Sequence, residues 1–316
     1  MRLAFAGSPQ FGAWVLGDLT AAGRSPLLVI TPPDRPQGRG RQPAPCPVAV
    51  LADALGIPVL RTPDINQEAV AAVLEEGKID VLLVAAFGQL LKPPLLEALS
   101  CLNLHASLLP RHRGAAPIHW ALRNGESETG VCVMRMEEAL DAGPVAAVTR
   151  ISISPRDDAG SLGRALALMG ALAADQVLTA MADGTVEWRQ QSEGWTYAPK
   201  VGPNDRLLRP ELGAVAAHNL VRSLSPDTGS EVGCGGLRLK VWRTWPWEAE
   251  ADGLPAAGRE VAGRPGHWGF DKNRLFLGCA QGALEVFRIQ PAGKPVMSAA
   301  EFVRGYGRRL QTSPAP

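Results

Sequence analysis

The stretch DVLLVAAFGQLLKPPLLEALSCLNLH, residues 80–105, decides the fold class of this chain. It holds two short apolar runs typical of strands, DVLLVAAF (80–87) and CLNLH (101–105), on either side of a longer segment. Four more runs of this kind occur in the first two hundred residues, namely RLAFAG (2–7), PLLVIT (26–31), PVLRT (58–62) and GVCVMRM (130–136). Short apolar runs that alternate with helix-patterned stretches predict an α/β fold, in which an open, mostly parallel sheet carries helices on both faces.

Two of the helical stretches have recognisable limits. APIHWALRNG (116–125) has Pro117 early, where a missing N–H costs little, and Gly125 after its last turn. The longest helix is predicted from about Ser161 to Met181, because this segment is rich in the strong helix formers Ala and Leu.

After WTYAPKVGPND (195–205) the sequence changes to short β-like runs separated by Gly, Pro and Asp. This pattern is typical of a small barrel or sandwich. A length of 316 residues favours two domains. We therefore predict a Rossmann-like catalytic domain, a linker and a C-terminal, OB-like β-barrel, at residues 1–190, 191–206 and 207–316 respectively.

Composition excludes several classes of protein. The five cysteines are scattered without a C-x-x-C pair, which argues against a disulfide framework and a zinc knuckle. No run of eighteen uncharged apolar residues occurs, and the start, MRLAFAGSPQ, lacks the features of a secretory signal, so we expect a cytoplasmic protein without a membrane partner. Cut after Leu207, the chain has 18 basic and 21 acidic residues before the cut and 14 and 10 after it, so the second half permits contact with a polyanion without requiring it.

Polar side chains collect where the run CLNLH ends. Asn103 and His105 stand two residues apart and would point to the same side of a strand. In open α/β sheets, ligands bind beyond the carboxyl ends of the strands. Asp141 follows a strand-like run that could lie beside CLNLH, so the three side chains would converge. Taken singly, a histidine at a strand end is more often structural, and an aspartate before Gly and Pro often caps a turn.

None of these three residues is the serine or cysteine nucleophile that an acyl-enzyme needs. Ser107 is the obvious rival, but it sits in a Ser-Leu-Leu-Pro turn without the G-x-S-x-G pattern of a nucleophile elbow. The turn AGSPQFG (6–12) also lacks the spacing of a phosphate loop. An amide can stabilise an oxyanion, while an imidazole and a carboxylate move protons. The set therefore favours direct transfer between two bound substrates.

The loop TPPDRPQGRGRQPAP, residues 31–45, carries Arg35, Arg39 and Arg41. Its length and its Pro and Gly content indicate a surface excursion from the first βα unit. Arginines on such a loop can bind phosphates bidentately. A solvated, flexible loop is the alternative interpretation.

Together these motifs resemble the folate-dependent formyltransferases, which share an Asn-x-His, a Ser-Leu-Leu-Pro, an Arg-Gly and a later Asp-x-Gly; here they lie between Asn103 and Val145. PDRPQGRG, TYAPK and RIQPAGKPVMSAAEFVRG are similar to the members that act on initiator tRNA, and the resemblance covers nearly the whole chain. It implies transfer of a formyl group from 10-formyltetrahydrofolate to the α-amino group of methionyl initiator tRNA. It implies direct acyl transfer without a covalent enzyme intermediate, and no metal or redox cofactor.

The resemblance also implies roles for individual residues. Asn103, His105 and Asp141 match the catalytic trio of the family. Two segments match the folate site, and they comprise Phe87, Gly88, Gln89 and Leu90 beside the pterin and the turn Ser107, Leu108, Leu109 and Pro110. The loop that approaches the tRNA acceptor end comprises 34–41, with Arg35, Arg39 and Arg41 as candidate tRNA contacts. Phe87 stands where the family usually has tyrosine.

Two other hypotheses stay open at this point. A sister formyltransferase could act on the amine of a nucleotide sugar or ribonucleotide, but such a substrate needs neither the arginine-rich loop nor the β-rich second half. An RNA-binding module could keep the fold without turnover, but the intact Asn103, His105 and Asp141 argue against it. We expect a monomer.

Overall fold

The computed structural model describes residues 1–37 and 42–310, so Arg39 and Arg41 of the predicted tRNA loop lie outside the described residues. The chain divides into two compact units. Unit 1 comprises Met1–Pro117, Glu128–Ser152 and Gly163–Lys200. Unit 2 comprises Ile118–Ser127, Ile153–Leu162 and the chain from Val201 onward.

Unit 1 contains, in its described residues, a seven-stranded sheet and a small hairpin. The strands are β1 (Leu3–Gly7), β2 (Leu28–Thr31), β3 (Arg35–Gln37), β4 (Gln42–Ala44), β5 (Val59–Arg61), β6 (Val81–Ala85), β7 (Ser100–His105), β8 (Glu128–Arg135) and β9 (Val145–Ser152). The order in the sheet is β5-β2-β1-β6-β7-β8-β9, and β3 pairs only with β4. The first five strands of that order pair in parallel, while β8 is antiparallel to β7 and β9 is antiparallel to β8. The predicted open, mostly parallel sheet is confirmed.

Helices cover both faces of this sheet, as predicted. They are α1 (Gln10–Ala21), α2 (Pro47–Ala54), α3 (Glu68–Glu76), α4 (Pro93–Ala98) and most of α6 (Ala159–Ala182), while α5 (Pro117–Arg123) belongs almost wholly to unit 2. Leu74 of α3 and Leu95 of α4 join a core with Val84 of β6 on one face. On the other face, Gly170 of α6 lies against Leu104 of β7. β1 and β6 are buried along their whole length, which explains their uninterrupted apolar sequences.

Helix α6 is the one helix of the described chain that is long and apolar enough, by length and composition, to cross a membrane. Its most apolar window has a mean hydropathy of 1.5, and 44% of that window is buried inside the protein. Arg24, three residues after the end of α1, donates to Asp175 of α6 at 2.7 Å, and Asp18 of α1 pairs with Arg164 of α6. These ion pairs lie at the surface, while Leu166 and Leu178 of the same helix are fully buried in the protein.

Unit 2 contains an antiparallel sheet that curls into a half-barrel, which confirms the β-rich character predicted for the second half. Its strands are β10 (Ser230–Cys234), β11 (Leu237–Trp247), β12 (Trp268–Phe270), β13 (Leu275–Gly278), β14 (Ala283–Pro291) and β15 (Met297–Ser298). Besides α5, its helices in the described residues are α7 (Ala214–Ser223), α8 (Ala256–Arg259) and α9 (Ala299–Leu310). The core of this unit joins side chains of α7 and α9 to the sheet, including Leu220, Val241 and Phe302.

The segment predicted as a linker, 191–206, is divided between the two units after Lys200. Its first ten residues belong to unit 1, where Tyr197 forms a parallel bridge with Arg113. A short 3₁₀ turn, Asn204–Arg206, belongs to unit 2. The exact limits predicted for the domains, at 190 and 207, stay a prediction.

Candidate active site

Strand β7 presents two of the three candidate residues. Asn103 and His105 alternate with Leu104, which is buried on the opposite face of the sheet, so both point to the same side. His105 is only 5% exposed and lies opposite Cys132 of β8 in the pairing register. The strand ends at His105, so the two side chains stand at the carboxyl edge of the sheet.

Asp141 completes the convergence from the loop between β8 and β9. Its backbone adopts φ +50°, in the left-handed region. Carboxylate oxygen Oδ2 accepts the backbone N–H of Gly114 at 2.8 Å, and Oδ1 accepts a hydrogen bond from Asn103 Nδ2 at 3.3 Å. Oδ2 also lies 3.6 Å from His105 Nδ1. The structure thus brings the three sequence-predicted residues together, with the Asp141 side chain only 10% exposed.

The ring of His105 has its two nitrogens in different surroundings. Nε2 lies 2.8 Å from the carbonyl oxygen of His112. Because a carbonyl oxygen can only accept, Nε2 carries a hydrogen and donates it. Nδ1, on the Asp141 side, is therefore the ring nitrogen that can exchange a proton with a substrate.

Neither nearby candidate nucleophile is suited to attack. The Ser107 side chain is fully buried and its hydroxyl donates to the carbonyl oxygen of Arg111 at 2.6 Å. Burial raises the pKa of the Cys132 thiol to about 11, so almost none of it is thiolate at neutral pH. An acyl-enzyme mechanism needs an activated nucleophile beside its base. The arrangement instead suits direct transfer between two bound substrates.

The loop that carries Asp141 is held by Gln191, which sequence reasoning missed. Gln191 Nε2 donates to the carbonyl oxygens of Asp141 and Gly143, both at 2.8 Å. Its Oε1 accepts from Arg113 Nη2 at 2.8 Å and from Nε at 3.2 Å. One amide side chain therefore bridges the Asp141 loop and the loop after β7. No motif marks a glutamine fifty positions from the aspartate it supports.

Backbone groups of the loop after β7 were missed as well. The Gly114 N–H and the His112 carbonyl are the partners of Asp141 and His105, and both lie within residues 103–145, which carry the family motifs. His112 N in turn donates to Thr196 Oγ1 at 2.8 Å, which ties this loop to the segment 191–200. The only available signal was the Arg-Gly that the motif contains.

The first predicted folate segment, after β6, is a tightly fixed turn. Phe87 is buried in the core of unit 1, and Gly88 adopts φ +80°. Gln89 Oε1 accepts the N–H of Ile65 at 2.7 Å, so this side chain anchors a neighbouring loop. Leu90, by contrast, is 69% exposed. Contact of these residues with folate stays a prediction.

The second predicted folate segment packs against β8 and β9. The Leu108 side chain lies over Gly130 of β8, where a Cβ would come within 2.4 Å of Leu108 Cδ2. Leu109 packs against a small cluster of Cys132, Met134 and Val145, and a cis peptide bond links it to Pro110. A folate contact here also stays a prediction.

The candidate tRNA contacts are described only in part. Arg35, in β3, is exposed, while its companions in the loop lie outside the described residues. Within the described ranges, no group of three or more His, Cys, Asp or Glu side chains is arranged to hold a metal ion.

Comparison with known proteins places this chain in one class. Residues 1–177 match the family model for formyl transferase, and residues 200–307 match that for the formyl transferase C-terminal domain. The chain therefore belongs to the formyl transferase family and is an enzyme of one-carbon group transfer.

Two curated relatives carry a more particular name. The chain is 39% identical to the methionyl-tRNA formyltransferase of Methylobacterium sp. (strain 4-46), over 98% of this chain and 97% of the relative. It is 37% identical to the methionyl-tRNA formyltransferase of Pelotomaculum thermopropionicum, over 96% of each.

Solved structures support the fold. HypX from Aquifex aeolicus, in complex with tetrahydrofolic acid, is 17% identical with a TM-score of 0.63, and the match covers 100% of this chain and 48% of that one. The methionyl-tRNA formyltransferase from Clostridium thermocellum has a TM-score of 0.55 and 11% identity, over 78% of this chain and 94% of that one.

Proposed function

We propose that the protein transfers the formyl group of 10-formyltetrahydrofolate to the α-amino group of methionine esterified to initiator tRNA, for translation initiation. The observation that carries this proposal is the convergence of Asn103, His105 and Asp141 at the carboxyl end of β7, without a nucleophile beside them. The names of full-length relatives support the choice of acceptor. The reaction needs no metal, and we place the enzyme in the cytoplasm as a monomer.

The proposed reaction begins with attack of the neutral methionyl amine on the formyl carbon. A C–N bond forms and the carbonyl oxygen gains negative charge. The Asn103 amide has two hydrogens, and since one is directed to Asp141 Oδ1, the other can donate to this oxyanion. Donors placed in advance where charge develops are a large source of catalysis.

Proton transfer completes the reaction. The attacking nitrogen becomes positively charged and must lose a proton, which His105 Nδ1 or the Asp141 carboxylate accepts. The bond between the formyl carbon and N10 of the folate then breaks, and N10 takes up a proton. His105 keeps its orientation throughout because Nε2 donates to the His112 carbonyl. No covalent enzyme intermediate forms.

Recognition of the tRNA is proposed for two regions. Arg35, Arg39 and Arg41 contact phosphates near the acceptor end, for which the exposure of Arg35 and the lack of acidic residues after Asp34 in this loop give support. The half-barrel unit, in the half of the chain with the basic excess, contributes further contacts.

The test is a formylation assay with charged initiator tRNA, uncharged initiator tRNA and charged elongator methionine tRNA. The proteins are the native enzyme, His105→Ala and the matched control His267→Ala, which removes a half-buried histidine of unit 2. We expect formylation of the charged initiator alone, strong loss in His105→Ala and near-native rates in His267→Ala. Formyl transfer to a sugar or nucleotide amine, with none to any charged tRNA, would overturn the proposal.

A further inference from the structure

The segment 191–200 runs beside the loop after β7 within unit 1 and is fixed to that loop by backbone hydrogen bonds. Arg113 N donates to the Thr196 carbonyl at 2.9 Å, and Ala198 N donates to the Arg113 carbonyl at 2.7 Å. Thr196 Oγ1 also accepts the N–H of His112. The chain on either side of Tyr197 is therefore held in one position.

Two aromatic side chains project from this fixed segment into solvent. Thr196 and Ala198 bind the loop after β7, and the rings of Trp195 and Tyr197, which flank Thr196, lie at the margin of that loop with much of their surface in solvent. Trp195 is 61% exposed and Tyr197 is 56% exposed. Exposed aromatic surface on a rigid backbone is typical of a place where a ligand stacks.

The ring of Tyr197 adjoins the catalytic carboxylate through a single residue. A Cβ added to Gly114, which has φ +117°, would lie 2.6 Å from Tyr197 Cε2. The N–H of the same glycine donates to Asp141 Oδ2 at 2.8 Å. A molecule stacked on Tyr197 therefore lies next to the reacting groups.

A basic side chain lies beside one of the two rings, and two others are exposed nearby in the sequence. The Arg113 guanidinium lies 5.9 Å from the centre of the Trp195 ring. Arg111 and Lys200 are exposed on the adjoining loop and segment. Positive charge beside exposed aromatic rings fits a single-stranded nucleic acid, whose bases stack while its phosphates pair with cations.

We propose that Trp195 and Tyr197 form a stacking platform for the unpaired bases at the acceptor end of the charged tRNA. This inference rests on the proposed function, because the aminoacyl ester is attached to the last of those nucleotides. A base stacked on the platform brings the esterified amino acid beside Asp141 and leaves its amine free to reach the formyl carbon. Removing one such aromatic partner weakens binding by about 5- to 150-fold.

The test pairs protein variants with two forms of initiator tRNA, one full-length and one lacking its single-stranded 3′ nucleotides. Dissociation constants are measured for the native protein, Trp195→Leu and Tyr197→Leu, and for Trp195→Phe and Tyr197→Phe, which keep an aromatic ring. Trp188→Leu is the matched control, since the Arg135 guanidinium already covers that ring at 4.5 Å. The Michaelis constant for formyl-folate is measured alongside.

We expect each leucine variant to lose at least about 5-fold in affinity for the full-length tRNA and little for the truncated one. The phenylalanine variants and the control should stay near native. Equal losses for both tRNAs, or a raised Michaelis constant for formyl-folate with unchanged tRNA affinity, would overturn the platform.

The two proposals fail separately. If the native protein formylates charged initiator tRNA, but the leucine variants lose the same affinity for both tRNAs, the proposed function stands and the platform is refuted. If the leucine variants lose affinity for the full-length tRNA alone, but the native protein formylates no charged tRNA, the platform stands and the proposed function is refuted.

Discussion

The replacement Asp141→Asn tests the arrangement of the active site most directly. The native carboxylate accepts the Gly114 N–H on Oδ2 and the Asn103 amide on Oδ1, and Oδ2 faces His105 Nδ1. An asparagine has one acceptor oxygen and one NH2 group at this place. If its oxygen stays with Gly114, its NH2 group meets the NH2 of Asn103; if the amide turns over, the NH2 meets the Gly114 N–H. With the Asn103 amide in its native orientation, either orientation sets a donor against a donor.

The magnitude follows from the burial of this contact. A donor that loses its partner where the side chain is 10% exposed costs about 1–3 kcal/mol in the free energy of unfolding. The catalytic loss is larger, because the side chain at position 141 no longer accepts a proton. A positioned acid or base contributes about 10²- to 10⁴-fold to a rate, so we expect kcat to fall by that order.

The assay is single-turnover formylation at saturating formyl-folate and charged initiator tRNA, at a temperature where urea titration shows every variant fully folded. Glu138→Gln is the matched control, because it makes the same chemical change on an exposed residue of the same loop. We expect the control to match the native rate. An Asp141→Asn rate within about tenfold of native would refute the proton-transfer role assigned here.

Three further predictions follow from the described contacts. Gln191→Leu removes the two hydrogen bonds that Gln191 donates to the loop of Asp141, so we expect kcat to fall about tenfold with little change in either Michaelis constant. Gln191→Glu keeps the acceptor for Arg113 but loses these donors, so it should show the same loss of kcat. Full activity in either variant would contradict the supporting role of Gln191. Burial lowers the pKa of His218, so on acidification the unfolded chain protonates this histidine before the folded protein does, and stability falls as the pH drops below about 6.5. The urea midpoint should therefore change less between pH 7 and pH 5.5 in His218→Gln than in the native protein. Equal changes in the two proteins would contradict the assignment of this pH dependence to His218. Burial raises the pKa of four of the five thiols, to about 12 for Cys101 and Cys279, to about 11 for Cys132, and also for Cys234. Disulfide-exchange titration at pH 8 should therefore find one fast-reacting thiol in the native protein, the half-buried Cys46, and five after unfolding. Rapid reaction of more than one thiol in the native protein would contradict this prediction.

The sequence predicts the sheet of unit 1 well because most of its strands are buried on both faces. All six predicted strands of this unit form, and the run 80–87 contains β6, whose five residues are all buried. The strand β9, Val145–Ser152, was not predicted. Its apolar run, residues 145–148, is only four residues long, and the polar residues Thr149 and Arg150 follow it directly. The edge position of β9 in the sheet explains these polar residues.

The active site divides in the same way between what side-chain chemistry reveals and what only the folded backbone supplies. Asn103 and His105 could be paired from their spacing because a strand repeats every two residues. The tautomer of His105, however, depends on a carbonyl oxygen, and the acceptor sites of Asp141 depend partly on a backbone N–H. Every residue type except proline has both groups, so no letter of the sequence identifies them. The loop after β7 therefore acts through its shape, and we expect substitutions that move this loop to change the rate while leaving the three proposed catalytic side chains in place.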